Sequence, residues 1–298
     1  MRIQKLLIAL FLISFELAAC SQNEQSGLNV ALSTNKAITG FSFSNPPATG
    51  IINENAETIS VTVPAGTNVT KLIAAFTATG ARVKVDTTIQ ISGLTQNDFT
   101  NPVVYLVEAA DGSTQTYTVT VKSLTAYHFT ATIDYINRTP TIPALVGDIV
   151  TGTFSFDPTV SNHYISLNQG GYFQSPPAGV QVQIESLILN ADLTNQAGYR
   201  IDTYNDESDV NPIRDSVSWF VNDTQAASAY GLDYIQIIFR LEDLTATVLN
   251  DVAIPDPLVL SEFNNPYFSL SGNKIVNGID NGLWYAHAKI NTLNRISP

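Results

Sequence analysis

Ile59-Ser60-Val61-Thr62-Val63, stopped by Pro64-Ala65-Gly66, alternates apolar and hydroxyl side chains strictly and then turns. A period of two sends successive side chains to opposite faces of a strand, so this stretch has one dry face and one wet face. The same signature recurs on either side. Upstream, Ile38, Phe41 and Phe43 open a run of the same kind. Downstream, Val69 to Thr79 is rich in strand formers, Arg82 to Asp86 alternates Val83 and Val85 with charged residues, and Val103 to Glu108 carries Val, Tyr and Leu. Gln115 to Lys122 closes the set, with Tyr117, Val119 and Val121 on one face and Thr116, Thr118 and Thr120 on the other. Asp111-Gly112 just before it is a hairpin turn signal. About seven strands between Lys36 and Ser123, with no amphipathic helix among them, predict an antiparallel β-sandwich.

Three strings carry a resemblance: Ile38-Thr39-Gly40-Phe41-Ser42-Phe43, Ile59 to Thr67, and Asp111-Gly112-Ser113 leading to Tyr117-Thr118-Val119-Thr120-Val121. Together they resemble the Ig-like domain found near the N-terminus of many bacterial lipoproteins and surface proteins. The resemblance covers residues 36–123 and implies a spacer or interaction module. It brings no catalytic residues with it.

The 298 residues hold 14 Lys and Arg against 26 Asp and Glu, a net charge of −12, which argues against nucleic acid as a partner. Only 13% of residues are charged while 44% are hydrophobic, a composition that folds rather than one that stays disordered. The acidity is uneven. Residues 23–125 carry 7 acids and 5 bases, whereas residues 126–298 carry 18 acids and 7 bases. Ser123 to Ala126 therefore reads as a short boundary, and residues 127–298 as a larger, acidic antiparallel β-sandwich with a jelly-roll-like arrangement as one form. Its opening, Tyr127 to Ile133 followed by Val146 to Asp157, is similar to a β-rich domain of bacterial secreted proteins.

The N-terminus reads as an address. Arg2 and Lys5 precede an uncharged apolar run from Leu6 to Phe15, the layout of a signal peptide and too short to span a bilayer. Leu17-Ala18-Ala19-Cys20 resembles the bacterial lipobox, which implies cleavage after residue 19 and a lipidated Cys20. Residues 20–35 follow as a polar tether. Cys20 is the single cysteine, so its lipidation would leave no thiol for disulfides, metal sites or nucleophilic catalysis. The resemblance implies a bacterial cell-envelope protein, lipid-anchored at the outer membrane where one exists.

Strand faces in the second part sort candidate ligand groups. Val217, Trp219 and Val221 share one face, which leaves Phe220 on the other among Ser216, Ser218 and Asn222. Trp284, Ala286, Ala288 and Ile290 share a face, setting Tyr285, His287 and Lys289 outward. Outward rings beside amides and charges suit a sugar, so Phe220, Tyr285, His287 and Tyr204 are the candidate ligand-binding residues. Arg200, Asp202, Tyr204 and Asp206 fall on one face by alternation. Two carboxylates four residues apart on one strand stand about 13 Å apart, beyond the roughly 5 to 9.5 Å of glycosidase pairs. The densest acidic stretch, with Asp202, Asp206, Glu207 and Asp209, offers the oxygen ligands that Ca²⁺ takes, without EF-hand spacing. A structural Ca²⁺ there is the one cofactor the sequence suggests. His128, His163 and His287 do not form a local zinc motif. Two Ser-x-x-Lys strings, at Ser33 and Ser271, lack the helical context of penicillin-binding enzymes.

These features point to a non-catalytic envelope or cell-surface module that binds a glycan or a protein. The alternatives are a carbohydrate-active enzyme whose carboxylates converge from separate strands, and a purely structural envelope protein.

Overall fold

A computed structural model describes residues 31–138, 140–164, 166–190, 199–207 and 213–297. The expected signal peptide, Cys20, the tether up to residue 30 and Asp209 lie outside the described residues. Nine strands form the first sheet: β1 (Ile38–Ser44), β2 (Pro47–Asn53), β3 (Thr58–Val63), β4 (Leu72–Ala78), β5 (Arg82–Val85), β6 (Thr88–Ile89), β7 (Gln96–Asn97), β8 (Val103–Glu108) and β9 (Thr114–Ser123). Their order is β6-β5-β8-β9-β3-β2-β1-β4-β7. Ile59, Val61 and Val63 are fully buried, as the alternation requires, and share a core with Phe41, Phe43, Tyr105 and Tyr117. Phe41 meets Tyr105 edge to face at 5.3 Å, the geometry that ring quadrupoles favour.

The all-antiparallel expectation fails at one ladder. β3 and β9 run parallel, from Thr58 opposite Thr118 to Val63 opposite Ser123. A parallel pair needs a long crossover, and the chain from β4 to β8 supplies it. The run from Val69 becomes a strand only at Leu72, because the Asn68 side chain accepts a hydrogen bond from the Thr70 N–H and caps a 3₁₀ turn over Val69–Lys71. The end of the expected tether is not free. Asp111 N donates to Ser33 O at 3.2 Å and Lys36 Nζ to Ser113 Oγ at 3.1 Å, so this segment lies against the Asp111-Gly112 hairpin.

The second sheet has ten strands: β10 (Thr125–Ile136), β11 (Ile149–Phe156), β12 (Gln169–Phe173), β13 (Gly179–Ile184), β14 (Leu187–Asn190), β15 (Tyr199–Glu207), β16 (Arg214–Asp223), β17 (Tyr234–Asp243), β18 (Tyr267–Val276) and β19 (Ile279–Arg295). A short helix, α1 (Gln225–Ala229), follows β16. Every ladder in this sheet is antiparallel, and the order is β12-β15-β16-β17-β18-β19-β10-β11-β13-β14. This is largely a meander rather than the paired Greek keys of a jelly roll. The sheet curls until strands distant in that order face one another. Phe154 on β11 lies 4.8 Å from Trp219 on β16 and 4.8 Å from Phe239 on β17, while the Tyr199 hydroxyl donates to Ser155 O at 3.0 Å. The structure is thus all-β, with two curled, mostly antiparallel sheets in sandwich-like packing.

The boundary expected at Ser123 to Ala126 is nearly continuous strand. Only Leu124 separates β9 from β10, and it is buried, with its N–H donating to Val63 O at 3.1 Å. Ile296 N returns to Ala126 O at 2.8 Å, so the chain end ties down the same junction.

Candidate functional site

The core-facing residues of the second sheet are mostly apolar, and the candidate ligand groups lie on its outer face. Backbone register places Phe173, Arg200, Phe220, Ile238, Ser269, His287 and Tyr135 in one row across seven strands, from β12 to β10. The next row holds Gly171, Asp202, Ser218, Arg240, Tyr267, Lys289 and Thr132. Flanking these are Asn222, Gln236, Ser271 and Tyr285 on one side, and Gln169, Tyr204, Ser216 and Glu242 on the other. The four candidate ligand-binding residues, Tyr204, Phe220, Tyr285 and His287, therefore share one face although they come from three separate strands.

The rings are held by charges. The Arg200 guanidinium sits over the Phe220 ring, 5.1 Å from its centroid, and Arg240 lies 6.0 Å from that of Tyr267. Tyr267 in turn stacks on His287 with centroids 5.2 Å apart and planes at 29°. A register shift between Ile133 and Tyr135 places Asp134 as an extra residue on β10, and its Oδ1 lies 2.6 Å from His287 Nδ1. The Tyr204 hydroxyl accepts from Gln169 Nε2 at 2.8 Å. At the sheet edge, His163 packs edge to face on Phe173 at 5.1 Å.

Beneath this layer the carboxylates are neutralised. Asp202, 2% exposed, receives Arg200 through Oδ2, from Nε at 2.9 Å and Nη2 at 2.8 Å. Glu207 and Glu242 both take Arg214, each at 2.8 Å, and Arg240 Nε donates to Ser218 Oγ at 2.7 Å. Asp206 does not stay in the row that alternation assigns to it. The strand is irregular between Tyr204 and Glu207, Asp206 takes a φ of +55°, and its N–H donates to Asp215 Oδ1 at 2.9 Å. The buried Asp215 carboxylate draws the backbone out of register. Asp202 and Glu207 are thus engaged by arginines rather than free for Ca²⁺. Among the described residues no three His, Cys, Asp or Glu side chains group closely enough to hold a metal ion.

Two buried carboxylates respond to pH in opposite directions. Burial pushes the Asp202 carboxyl up, with Arg200 pulling it back only in part. Burial also pushes on Asp243, but hydrogen bonds from Thr245 and Thr247 outweigh it and hold this carboxyl below the usual range. A lowered folded-state pKa gives stability that is present above the unfolded value of about 3.9 and is lost as pH falls through the folded value. The raised Asp202 does the reverse, favouring the fold at low pH and losing that contribution as pH rises through its folded value. Urea midpoints measured from pH 7 downward should show Asp243→Asn well below wild type at neutral pH, with the gap closing in acid. For Asp202→Asn the shortfall should be smaller at pH 7 and should not close in acid.

Sequence reasoning missed Tyr267, Phe173 and Tyr135 as parts of this face. Tyr267 was legible, since it alternates with the buried Phe268 and Leu270. Phe173 and Tyr135 were not, because their places depend on an edge pairing between distant strands and on the irregularity at Asp134.

Comparison with the curated proteins returns no match. A solved structure described as a candidate glycoside hydrolase from Bacteroides thetaiotaomicron is 14% identical, with 89% of this chain and 85% of that chain covered and a TM-score of 0.25. A likeness of that size carries no inference about fold or activity. No helix among the described residues is long and apolar enough to cross a membrane. Residues 38–121 match the family model described as "SGBP, N-terminal", the N-terminal domain of starch- or glycan-binding proteins and a domain of bacterial surface proteins.

Proposed function

We propose that this chain is a non-catalytic, glycan-binding protein of the bacterial surface, with the outer face of the second sheet as the binding surface. The observation that carries the reading is the register row joining Arg200, Phe220, Ser269 and His287. A sugar ring has apolar C–H faces and a rim of hydroxyls. Aromatic rings flanked by guanidinium, hydroxyl and amide groups complement both. The family match over residues 38–121 supports the same reading from the other end of the chain. The arginine partners of Asp202, Glu207 and Glu242 support binding over hydrolysis, since a glycosidase needs one free acid and one free base or nucleophile.

The Leu17-Ala18-Ala19-Cys20 motif supports a lipid anchor at the cell envelope, in the outer membrane where one exists. Tyr135 lies ten residues along β10 from Thr125, roughly 30 Å, so the aromatic face stands away from the first sheet. The near-continuous β9–β10 junction would keep that separation fixed.

The test is binding of the purified protein to starch, xylan, mannan, pectin and host glycosaminoglycans, in millimolar Ca²⁺ and in EDTA. At least one polysaccharide should bind, Phe220→Ala and Tyr285→Ala should each weaken it about tenfold, roughly 1.4 kcal/mol, and chelation should change nothing. Binding that survives both substitutions removes the site from this face. Loss in EDTA alone would return the acidic stretch as a Ca²⁺ site, and no binding to any polysaccharide would leave a protein partner or a structural role.

A further inference from the structure

We infer that the glycan is an acidic one, whose carboxylate or sulfate groups are taken by Lys289 while its sugar rings rest on the ring cluster beside that residue. This rests on the glycan reading above and adds the chemical class of the sugar.

The cluster occupies three adjacent strands, so the curl of the sheet does not turn its members apart. On β19 the consecutive outward positions are Tyr285, His287 and Lys289. Tyr135 on β10 lies opposite His287, and Tyr267 on β18 lies opposite Lys289. The stacking of Tyr267 on His287 joins the rings of β18 and β19 into one platform. Tyr135, 55% exposed, extends it onto β10. In register, Tyr267 stands between two cations, Arg240 on one neighbouring strand and Lys289 on the other.

Charge decides the class of sugar. Of the seven Lys and Arg in residues 126–298, five are paired with carboxylates: Arg200, Arg214, Arg240, Lys274 and Arg295. Lys289 and Arg138, both exposed, take part in no ion pair among the described residues. Both stand beside the rings. Lys289 is two residues beyond His287, and Arg138 follows Asn137, whose side-chain oxygen accepts the Tyr285 N–H at 2.7 Å. The acids that face the cluster are already engaged: Asp134 Oδ1 lies 2.6 Å from His287 Nδ1, and Glu242 takes Arg214 at 2.8 Å and Asn265 Nδ2. The uncompensated charge beside the platform is therefore positive, although the chain as a whole is at −12. Charges more than about 8 Å away are largely screened at physiological ionic strength, so the local cation governs a group in contact with it. A neutral sugar would leave Lys289 without a partner, whereas a sugar that carries an anion on its rim pairs with it while its apolar face meets the rings.

The probes are pectin, which carries carboxylates, and sulfated glycosaminoglycans, set against the neutral starch and mannan and titrated by calorimetry into the purified protein. An acidic polysaccharide should bind more tightly than either neutral one, and whether pectin or the sulfated chains bind identifies the anion. Lys289→Gln should weaken that binding about fivefold, the scale of an exposed ion pair, and Lys289→Arg should restore it. The same ligand stripped of its charge, by reduction of its carboxylates to alcohols or by desulfation, should bind wild type and Lys289→Gln equally, since the partner of the lysine is then gone. Lys289 is exposed, so unchanged melting temperatures would certify the fold of both variants. Neutral polysaccharides that bind as tightly as acidic ones overturn the inference while leaving glycan binding intact. So does a Lys289→Gln variant indistinguishable from wild type on the acidic ligand. Failure of every polysaccharide to bind overturns the glycan reading and this inference together.

Discussion

Trp219→Ala should lower the stability of the protein by about 3–5 kcal/mol, the range for removing a large buried aromatic side chain. Trp219 is 1% exposed and lies where the curled second sheet closes on itself. Its ring sits 4.8 Å from Phe154, 6.0 Å from Phe156 and 5.5 Å from Phe239, which come from β11 and β17. Truncation therefore opens a cavity between the two halves of the sheet instead of at one edge. Trp219→Phe should cost far less, about 1–2 kcal/mol, because part of the ring volume remains and an indole N–H without a hydrogen-bond partner among the described residues is removed. Urea unfolding followed by the fluorescence of Trp284, the other tryptophan, would read both variants. A cost below about 1 kcal/mol for Trp219→Ala would mean that the halves do not pack as described.

Asp215→Ala should be comparably damaging, by about 3–5 kcal/mol, for a different reason. Asp215 is fully buried and its carboxylate accepts from three backbone donors: Asp206 N at 2.9 Å, Val248 N at 2.9 Å and Leu249 N at 2.8 Å. Alanine would take the acceptor from all three N–H groups, that of the buried Leu249 among them. Asp215→Asn keeps one acceptor oxygen but turns an NH₂ toward the remaining donors, so an intermediate loss is expected. Hydrogen exchange should localise the effect, with the Val248 and Leu249 amides losing protection first. Uniform loss across the second sheet, with no excess at those amides, would show that Asp215 acts through general stability alone. The same substitution releases the Asp206 N–H, so it also tests why β15 departs from simple alternation.

Much of the fold was legible because strand faces are a local property. The alternation at Ile59 to Val63, at Val217 to Val221 and at Trp284 to Ile290 assigns inward and outward residues, and the structure buries the inward ones. The parallel β3–β9 ladder was not legible, since nothing in either strand's own sequence distinguishes a parallel partner from an antiparallel one. The meander order of the second sheet was hidden for the same reason, and so was the migration of β12 to its far edge beside β15.

The candidate site divides along the same line. Phe220, Tyr285 and His287 could be marked as outward from their own strands. That Phe220 and His287 share a row depends on the registers of β16, β17, β18 and β19 against one another. Asp202 could be marked as acidic and outward, but its neutralisation by Arg200 and its 2% exposure emerge only when the long side chains of the face lie over it. Asp206 was misplaced because alternation assumes an unbroken strand, and a buried acceptor from the next strand breaks this one.

By itself the sequence determined that this is a β protein, which faces of its strands are dry, and which aromatic residues point away from the core. Each of those follows from a two-residue period that needs no partner to be read. Only the tertiary structure decided which outward residues meet and which carboxylates are cancelled by arginines. Those depend on the register between strands brought together from distant parts of the chain, and register is settled when the sheet closes around its core.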